Sequence, residues 1–318
     1  AACNLLHLDE LRSQTRRRLP ASDRWPLMPR PPEWFKRLSV PLADKIVYAS
    51  GAYVSLKSTM NDLSQTLVTF EGEPSTPVDE RLLAFVRAIR PMTSTGLELT
   101  RIGGATDGGY VMAEPIAASG AISIGVGSDV SWDQDIGSRG IPVAMFDHTV
   151  RRAPAHVPGG TFHRLGIGPT QGMKVRPLEQ IVSVAGFAGR DDLLLKMDVE
   201  GAEWLSLTEP TPSNLQQFTQ IVLELHGIAG LKDPRSAEQI LAAVEHLGKT
   251  HYPVHVHANN YDELVRFGNW WFPNAIEVSF IRKDLLTNAE PATVLCTDLD
   301  APCDPRVSEI DLTALSRL

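Results

Sequence analysis

The sequence predicts an α/β protein in which a mostly parallel sheet carries helices on both faces. Over residues 78–285, short apolar runs alternate with amphipathic helical patterns, as is typical of parallel sheets. A pair of glycines follows one early run, and acidic residues follow later runs, at the strand ends where such sheets bind ligands. Residues 1–77 form a predicted helical extension, and residues 286–318, rich in Pro and Asp, a predicted surface tail.

The composition excludes several classes of protein. The 318 residues contain 30 Lys and Arg against 38 Asp and Glu, a net charge of −8, so we expect no nucleic-acid partner, because phosphate contacts need clustered basic residues. No apolar run approaches the roughly 20 residues that span a bilayer, and no secretory signal is evident. We therefore expect a cytoplasmic protein without a membrane partner. The 3 cysteines, Cys3, Cys296 and Cys303, are too few for a disulfide framework, which favours a reducing compartment.

Within the extension, residues 42–70 have the clearest periodicity of the chain. Apolar residues recur there in alternating steps of four and three, the a/d pattern of a heptad seam. The seam comprises Leu42, Ile46, Ala49, Tyr53, Leu56, Met60, Leu63, Leu67 and Phe70. Small and hydroxylated residues flank it, so we expect close packing on a partner. Two partners stay open: the rest of the same chain, or the same helix of a second copy in a homodimer.

The alternating region supplies seven predicted strands and several helices. The predicted strands are Ala121–Val126, Pro142–Phe146, Thr161–Ile167, Leu193–Met197, Gln220–Leu225, Pro253–His257 and Ala275–Ile281. Helical patterns include Val130–Arg139, Pro177–Ala185 and Ser236–Leu247. The loop between the last two strands contains Asn259, Asn260 and Pro273 but no helical pattern. The last strand is therefore predicted to close the sheet in antiparallel orientation.

The first of these strands runs into Gly125-Val-Gly127, ahead of a predicted helix. Glycines at such a turn let a ligand approach the backbone closely at the helix N-terminus. Val130 stands where a dinucleotide fingerprint has its third glycine. Asp147 ends the second strand, where a carboxylate can accept hydrogen bonds from both ribose hydroxyls of a nucleoside. This combination fits S-adenosylmethionine better than a dinucleotide, because no pyrophosphate needs to be bound.

A second glycine-rich stretch, Leu99–Met112, precedes the first strand. Its Asp107-Gly-Gly turn suits a tight hairpin. Two interpretations stay open: a purely structural hairpin, or one that lies over the cofactor with Arg101 or Asp107 reaching the amino-acid end. We include both residues among the predicted cofactor contacts. Asp129, beside the Gly-x-Gly turn, and His148, after the second strand, complete that set.

Ionisable side chains follow the later predicted strands. Asp198 ends the fourth strand, Glu224 and His226 share a face of the fifth, and His257 ends the sixth. Two carboxylates with imidazole suit a divalent cation, or a general base beside a hydroxyl. We predict that Asp198, His226 and His257 are catalytic, and a metal role for these acids stays open beside that of a general base. Glu203 is predicted to stabilise the start of the next helix.

The segment Leu194-Leu-Lys-Met-Asp-Val-Glu-Gly-Ala-Glu203 resembles a signature of FkbM-like S-adenosylmethionine-dependent methyltransferases, Lys-hydrophobic-Asp-Val-Glu-Gly-Ala/Ser-Glu. The earlier Arg-x-Gly and Asp-Gly-Gly-Tyr stretches, the Gly-x-Gly segment and the later Leu-Glu-Leu-His follow the order of that family over residues 97–283. The resemblance implies a class I methyltransferase sheet of seven strands with the last pair antiparallel. It also implies O-methylation, often of a sugar or a glycosylated natural product.

The resemblance also implies residue roles. Gly125, Gly127 and Asp147 would contact S-adenosylmethionine, and Asp198 would lie at the methyl-transfer site. Metal-dependent relatives of this fold place acidic ligands at positions that match Asp198 and Glu224, which adds Mg²⁺ or another divalent cation to the expected cofactors.

The expected activity is therefore O-methylation of a small-molecule or sugar hydroxyl. A peptide, lipid or RNA acceptor stays an alternative, as do an NAD-dependent oxidoreductase and a non-catalytic nucleotide-binding module. Trp132, Trp270 and Trp271 could stack on the adenine or on a sugar, although large aromatic side chains more often pack in a core.

Overall fold

The structure, a computed structural model, describes residues 79–208, 212–268, 270–295 and 297–313. The predicted helical extension with its heptad seam, and Cys3 and Cys296, lie outside these residues. The α-helices are, in chain order, α1 (Glu80–Ala88), α2 (Ser131–Ser138), α3 (Leu178–Val184), α4 (Glu203–Thr208), α5 (Pro212–Leu215) and α6 (Pro234–Thr250). Short 3₁₀ helices cover Ile228–Lys232 and Lys283–Leu285.

Fifteen strands are described, seven of them in one central sheet. They are β1 (Met92–Thr93), β2 (Glu98–Ile102), β3 (Tyr110–Glu114), β4 (Gly120–Ile124), β5 (Val143–Phe146), β6 (Gly160–His163), β7 (Gly166–Ile167), β8 (Val175–Arg176), β9 (Leu193–Asp198), β10 (Phe218–His226), β11 (His251–Ala258), β12 (Leu264–Phe267), β13 (Trp270–Pro273), β14 (Ala275–Arg282) and β15 (Glu290–Pro291).

The central sheet has the order β6-β5-β4-β9-β10-β14-β11. Strands β4, β5, β6, β9 and β10 pair in parallel, whereas β14 runs antiparallel to both β10 and β11. This is the doubly wound order 3-2-1-4-5-6 with one further, antiparallel strand inserted between the fifth and the sixth. The predicted fold is thereby confirmed: a mostly parallel class I methyltransferase sheet whose last strand is antiparallel.

Alternation along each strand divides the sheet into two faces. In β9, Leu193, Leu195 and Met197 point into an apolar core that also contains buried residues of α1, α3 and α6. Leu194 lies in the core of the opposite face, with residues of α2 and β3. Asp198 therefore shares the side of α2 and β3, because it lies four residues from Leu194 on the same strand.

The longest helix has clear sequence signals for its start. Asp233 precedes α6, and its carboxylate accepts a hydrogen bond from the Ser236 N–H at 2.9 Å. Pro234 occupies the first helical position, where no N–H is needed. Apolar side chains of the helix then pack against α1 and the sheet, which fixes the layer behind β10.

The Asp107-Gly-Gly stretch lies in a hairpin, as expected, but the loop covers residues 103–109 and is longer than the tight turn that was predicted. Strands β2 and β3 pair antiparallel, with Ile102 opposite Tyr110, and β3 crosses β10, β11 and β14. The Gln220 side chain acts as a bridge: it accepts from the Ala113 N–H at 2.9 Å and donates to the Ala113 carbonyl at 2.8 Å. The hairpin thus covers one face of the sheet and carries Asp107 to its ligand-binding edge.

Two regions differ from the prediction. The predicted strand Thr161–Ile167 is divided into β6 and β7. The loop between β11 and β14 contains a hairpin, β12 and β13, with Gly268 at φ 61° beside its turn. Each of these strands has only four residues, which is too short for a period-2 pattern to be recognised in the sequence.

The C-terminal segment is packed where a surface tail was expected. Cys303, Val307 and Ile310 are buried. Asn260, two residues after the end of β11, donates to the carbonyls of Asp304 and Val307, both at 3.0 Å. The described part of this segment therefore closes over the carboxyl end of β11.

None of the helices in the described ranges is both long and apolar enough to cross a bilayer.

Candidate functional site

The Gly-x-Gly turn lies against the end of β9. Gly125 has φ 82°, and a Cβ there would lie 1.5 Å from the carbonyl oxygen of Asp198, so only glycine fits. Lys196 donates to the Gly125 carbonyl at 3.2 Å. Gly127 has φ 55°, and a Cβ there would meet no described atom within 4 Å. Its backbone therefore borders open space that a ligand can enter.

Asp147 fixes this turn from the end of β5. Its Oδ2 accepts from the Val126 N–H at 3.1 Å and the Gly127 N–H at 2.9 Å, and its Oδ1 accepts from the Thr149 N–H and hydroxyl, both at 2.6 Å. Burial would raise the pKa of Asp147, but these hydrogen bonds outweigh it and hold the pKa below its usual value. Asp147 is therefore ionised, and a ribose would have to share its oxygens with the protein donors.

The other predicted cofactor contacts have mixed placements. Arg101 donates to three carbonyls, those of Gly104 at 2.7 Å, Thr106 at 3.0 Å and Leu299 at 3.3 Å, so it stabilises the hairpin turn and is not free to bind a carboxylate. Asp129 is exposed and accepts from a backbone N–H at 2.7 Å. His148 is half-buried beside Asp147.

Asp198, Glu224, Glu277 and His257 form one row across β9, β10, β14 and β11. Glu224 is the register partner of Asp198 on one side and of Glu277 on the other, and Glu277 is the partner of His257. Adjacent strands lie about 4.8 Å apart, so the ends of the row are roughly 14 Å apart. Of the predicted catalytic residues, Asp198 and His257 therefore lie at opposite ends of this row, whereas His226 lies outside it, two residues beyond Glu224 on β10.

The middle of the row is a group of oxygen donors. Carboxylate oxygens of Asp107, Glu224 and Glu277 lie within 4.8 Å of one another, and both glutamates are 4% exposed. Burial raises the pKa of Glu224 and of Asp107. The Tyr110 hydroxyl is buried beside these acids and has no hydrogen-bond partner among the described residues. Such hard donors suit Mg²⁺ or a similar cation.

This grouping does not bring Asp198 and Glu224, the predicted pair of metal ligands, into one set, and their joint role stays a prediction. Glu224 lies with Asp107 and Glu277, whereas the donor atoms of Asp198 lie with those of Glu200 and His226. The sequence indicated that Asp198 and Glu224 end neighbouring strands, but not that the hairpin would bring a third carboxylate to Glu224.

His226 is surrounded by carboxylates. Its Nδ1 lies 3.0 Å from Glu203, and its Nε2 lies 3.4 Å from Glu224, 3.8 Å from Glu200 and 3.9 Å from Asp198. Burial lowers its pKa, but the hydrogen bonds to Glu203 and Glu224 outweigh burial and raise the pKa to about 12. An imidazolium has no free lone pair, so His226 does not fit the predicted role of base. It offsets the charge of the acids instead.

His257 is also unsuited to remove a proton. Its Nδ1 lies 3.0 Å from Glu277 and its Nε2 3.3 Å from Glu309. Burial lowers its pKa, but these two partners raise it to about 10. Both nitrogens are occupied, and the residue lies at the far end of the row from Asp198.

Asp198 fits the role of base better than either histidine. Its side chain is 26% exposed at the edge of the site. Burial, and then the charge of Glu224, raise its pKa to about 7, against the opposing charge of Lys196 at 3.9 Å. A carboxylate with a pKa near neutrality can accept a proton and release it again.

Several site residues were missed in the sequence. Glu277 is the one acidic residue of β14, and that carboxylate was the available signal. Glu203 begins α4, as predicted, but it is also 0% exposed, accepts from the Val199 N–H at 3.0 Å and contacts His226. Trp132 is 1% exposed in the core, whereas Trp270 and Trp271 are half-buried in β13.

No protein-family model and no curated protein matches the chain. Among solved structures, the chain is similar to a protein from Clostridium thermocellum that carries the provisional name of an rRNA-methylase, with 10% identity and a TM-score of 0.31 over 52% of this chain and 90% of that one. It is also similar to the CcbJ methyltransferase from Streptomyces caelestis, with 13% identity and a TM-score of 0.32 over 71% and 98% of the two chains. At these TM-scores neither likeness bears on activity, so the FkbM resemblance rests on the motifs alone.

Proposed function

We propose that the chain is an S-adenosylmethionine-dependent O-methyltransferase in which Asp198 removes the acceptor proton. The observation that supports this most is the contact between the Gly-x-Gly turn and β9, since the backbone of Gly125 lies against the carbonyl of Asp198. A ligand over Gly127 would therefore lie beside a carboxylate with a near-neutral pKa.

Bound S-adenosylmethionine would supply a methyl group on a sulfonium sulfur, which leaves as a neutral thioether when the acceptor oxygen attacks in line. The protein aligns the acceptor and accepts its proton on Asp198. Lys196 stabilises the ionised form of Asp198 and holds the Gly125 carbonyl. The His226 imidazolium offsets the negative charge of the neighbouring acids.

A sugar or glycosylated small molecule is the acceptor class that we propose. Asp107, Glu224 and Glu277 offer acceptors for several hydroxyl groups in the same cluster. The same three carboxylates would hold a divalent cation, which would lower the pKa of a coordinated hydroxyl. Their charge counts against RNA, because a polyphosphate would be repelled.

Calorimetry with S-adenosylmethionine and with NAD tests the cofactor. We expect binding of S-adenosylmethionine and not of NAD. Gly127→Ala should weaken that binding at least about 10-fold, because the new methyl group enters the ligand space. Gly140→Ala is the matched control: Gly140 has φ 83° and also has nothing within 4 Å of its Cβ position.

Each substitution places an alanine in left-handed backbone, which destabilises the protein by roughly 1 kcal/mol. The two variants should therefore have similar melting temperatures. Binding of NAD without S-adenosylmethionine would overturn the proposal. Equal affinities of the two variants for S-adenosylmethionine would place the cofactor elsewhere.

A further inference from the structure

We propose that His257, Glu277 and Cys303 form a metal site for a borderline divalent cation such as Zn²⁺. One nitrogen, one oxygen and one sulfur donor from these side chains all lie within 4.8 Å of one another. The three residues are 4%, 4% and 5% exposed, respectively. A mixed set of imidazole, carboxylate and thiolate ligands is typical of Zn²⁺ and unlike the all-oxygen sets of Mg²⁺.

The spacing of the donors suits a tetrahedral ion. The Cys303 Sγ lies 3.4 Å from Glu277 Oε1, and His257 Nδ1 lies 3.0 Å from Glu277 Oε2. Zinc bonds of about 2.0–2.3 Å at tetrahedral angles require donor separations of roughly 3.3–3.5 Å. The two observed distances, which involve different oxygens of Glu277, lie close to that range.

The surroundings of His257 have the arrangement that metal sites use. A histidine that binds a metal through one nitrogen usually donates its other N–H to a carboxylate, which fixes the tautomer and the ring orientation. With Nδ1 on the metal, Nε2–H would donate to Glu309, which lies 3.3 Å away. Glu309 is thus a positioning residue for this site.

Cys303 is brought to the site by a segment that is hydrogen-bonded to the end of the sheet. The neighbouring Asp304 N–H donates to the Asn260 side chain at 2.7 Å, and the Asn260 amide donates to the Asp304 carbonyl at 3.0 Å. His255 adds a contact of 2.8 Å to Asp300. The C-terminal segment therefore holds the thiol against the sheet before any metal binds.

The local charge also favours a cation. Glu277 belongs both to this site and to the carboxylate group with Asp107 and Glu224. Buried carboxylates are costly unless charge offsets them, and a dication would do so. Without a metal, the alternative is a structural triad in which His257 and Cys303 donate to Glu277.

Metal titration of the full chain separates these two cases. The protein is stripped with a chelator and titrated with Zn²⁺, and with Co²⁺ as a spectroscopic probe. We expect about one equivalent bound with a thiolate-to-cobalt charge-transfer band. Cys303→Ser should abolish that band and weaken Zn²⁺ binding at least about 10-fold. The double variant Cys3→Ser/Cys296→Ser should retain the band, since Cys303 is then the last of the 3 cysteines.

Two further variants test the surroundings. Glu309→Gln should weaken Zn²⁺ binding about 10-fold or more, as loss of such a partner does elsewhere. Asp107→Asn, which lies outside the three ligands, should leave the band in place. Absence of the band from the double variant would overturn the site, and that outcome does not depend on whether Cys303→Ser folds. These readouts measure metal binding alone, so failure of the methyl-transfer proposal would leave them unaffected.

Discussion

At the scale of single residues, the site depends on which charges meet at Asp198. Glu224 reaches it from β10 and Lys196 from its own strand, and the two act on its pKa in opposite directions. The sequence placed Asp198 at a strand end. The sequence could not predict the protonation state of Asp198. Its pKa is raised by burial and by Glu224, and both effects arise only when distant parts of the chain fold together.

The first prediction concerns these two neighbours. Asp198 should titrate near 7, because burial and Glu224 raise its pKa. Since a base must be ionised, the proposed proton removal should increase as the pH rises through that value. Lys196→Met should move the titration to higher pH by removing a stabilising charge, and Glu224→Gln should move it to lower pH. The carboxyl ¹³C chemical shift of labelled aspartate, assigned with Asp198→Asn, measures each pKa.

Lys174→Met is the control, because Lys174 is exposed on a loop. A wild-type Asp198 that titrates near 3.8, its ordinary value, would contradict the assignment of the base. Shifts in the same direction for Lys196→Met and Glu224→Gln would contradict the charge arrangement.

The two histidines show that residue type alone does not predict the protonation state of a side chain. An imidazole at a strand end suggests a base. In the folded chain, Glu203 and Glu224 face His226, while Glu277 and Glu309 face His257. Each carboxylate favours the protonated ring, so both histidines act as cations in the absence of a metal.

At the scale of elements, the hairpin of β2 and β3 assembles the site. It docks through Gln220, whose amide pairs with both the N–H and the carbonyl of Ala113 as a neighbouring strand would. Docking carries Asp107 to Glu224 and Glu277. The Asp-Gly-Gly sequence predicted a turn. It did not predict where the hairpin docks on the sheet, because docking depends on Gln220, more than 100 residues away.

The second prediction concerns this docking. Gln220→Leu leaves the buried N–H and carbonyl of Ala113 without a partner, and each such group costs about 1–3 kcal/mol. We expect the free energy of unfolding to fall by about 2–4 kcal/mol in urea titrations, with faster amide exchange at Ala113. Gln216→Leu, at an exposed position before the same strand, should change stability by less than about 0.5 kcal/mol. Equal effects of the two variants would contradict the bridging role of Gln220.

At the scale of the whole molecule, part of the acidic composition can be assigned to positions in the fold. Part of the net charge of −8 is the row of carboxylates across β9, β10 and β14. One end of the row meets the Gly-x-Gly turn, and the other meets the C-terminal segment at Cys303. One sheet thus supports both the proposed methyl-transfer site and the proposed metal site.

The third prediction concerns assembly, and it rests on the sequence of residues 42–70. A homodimer through the heptad seam predicts that Leu56→Asp and Leu63→Asp each halve the mass measured by light scattering, because a charge is placed in an apolar contact. Lys57→Asp, which lies off the seam, should keep the dimer mass. An unchanged mass with a lower melting temperature for the seam variants would indicate packing within one chain.

The sequence by itself determined the chain order of the seven strands of the central sheet, the Gly125 turn and the carboxylate at Asp198. These features follow from local patterns: apolar periodicity, glycine at a left-handed turn, and acids directly after buried strands. Only the tertiary structure decided which acids and histidines meet. Strand β14 inserts antiparallel between β10 and β11 and places Glu277 between Glu224 and His257. Pairings of this kind join distant parts of the chain, so no local pattern encodes them.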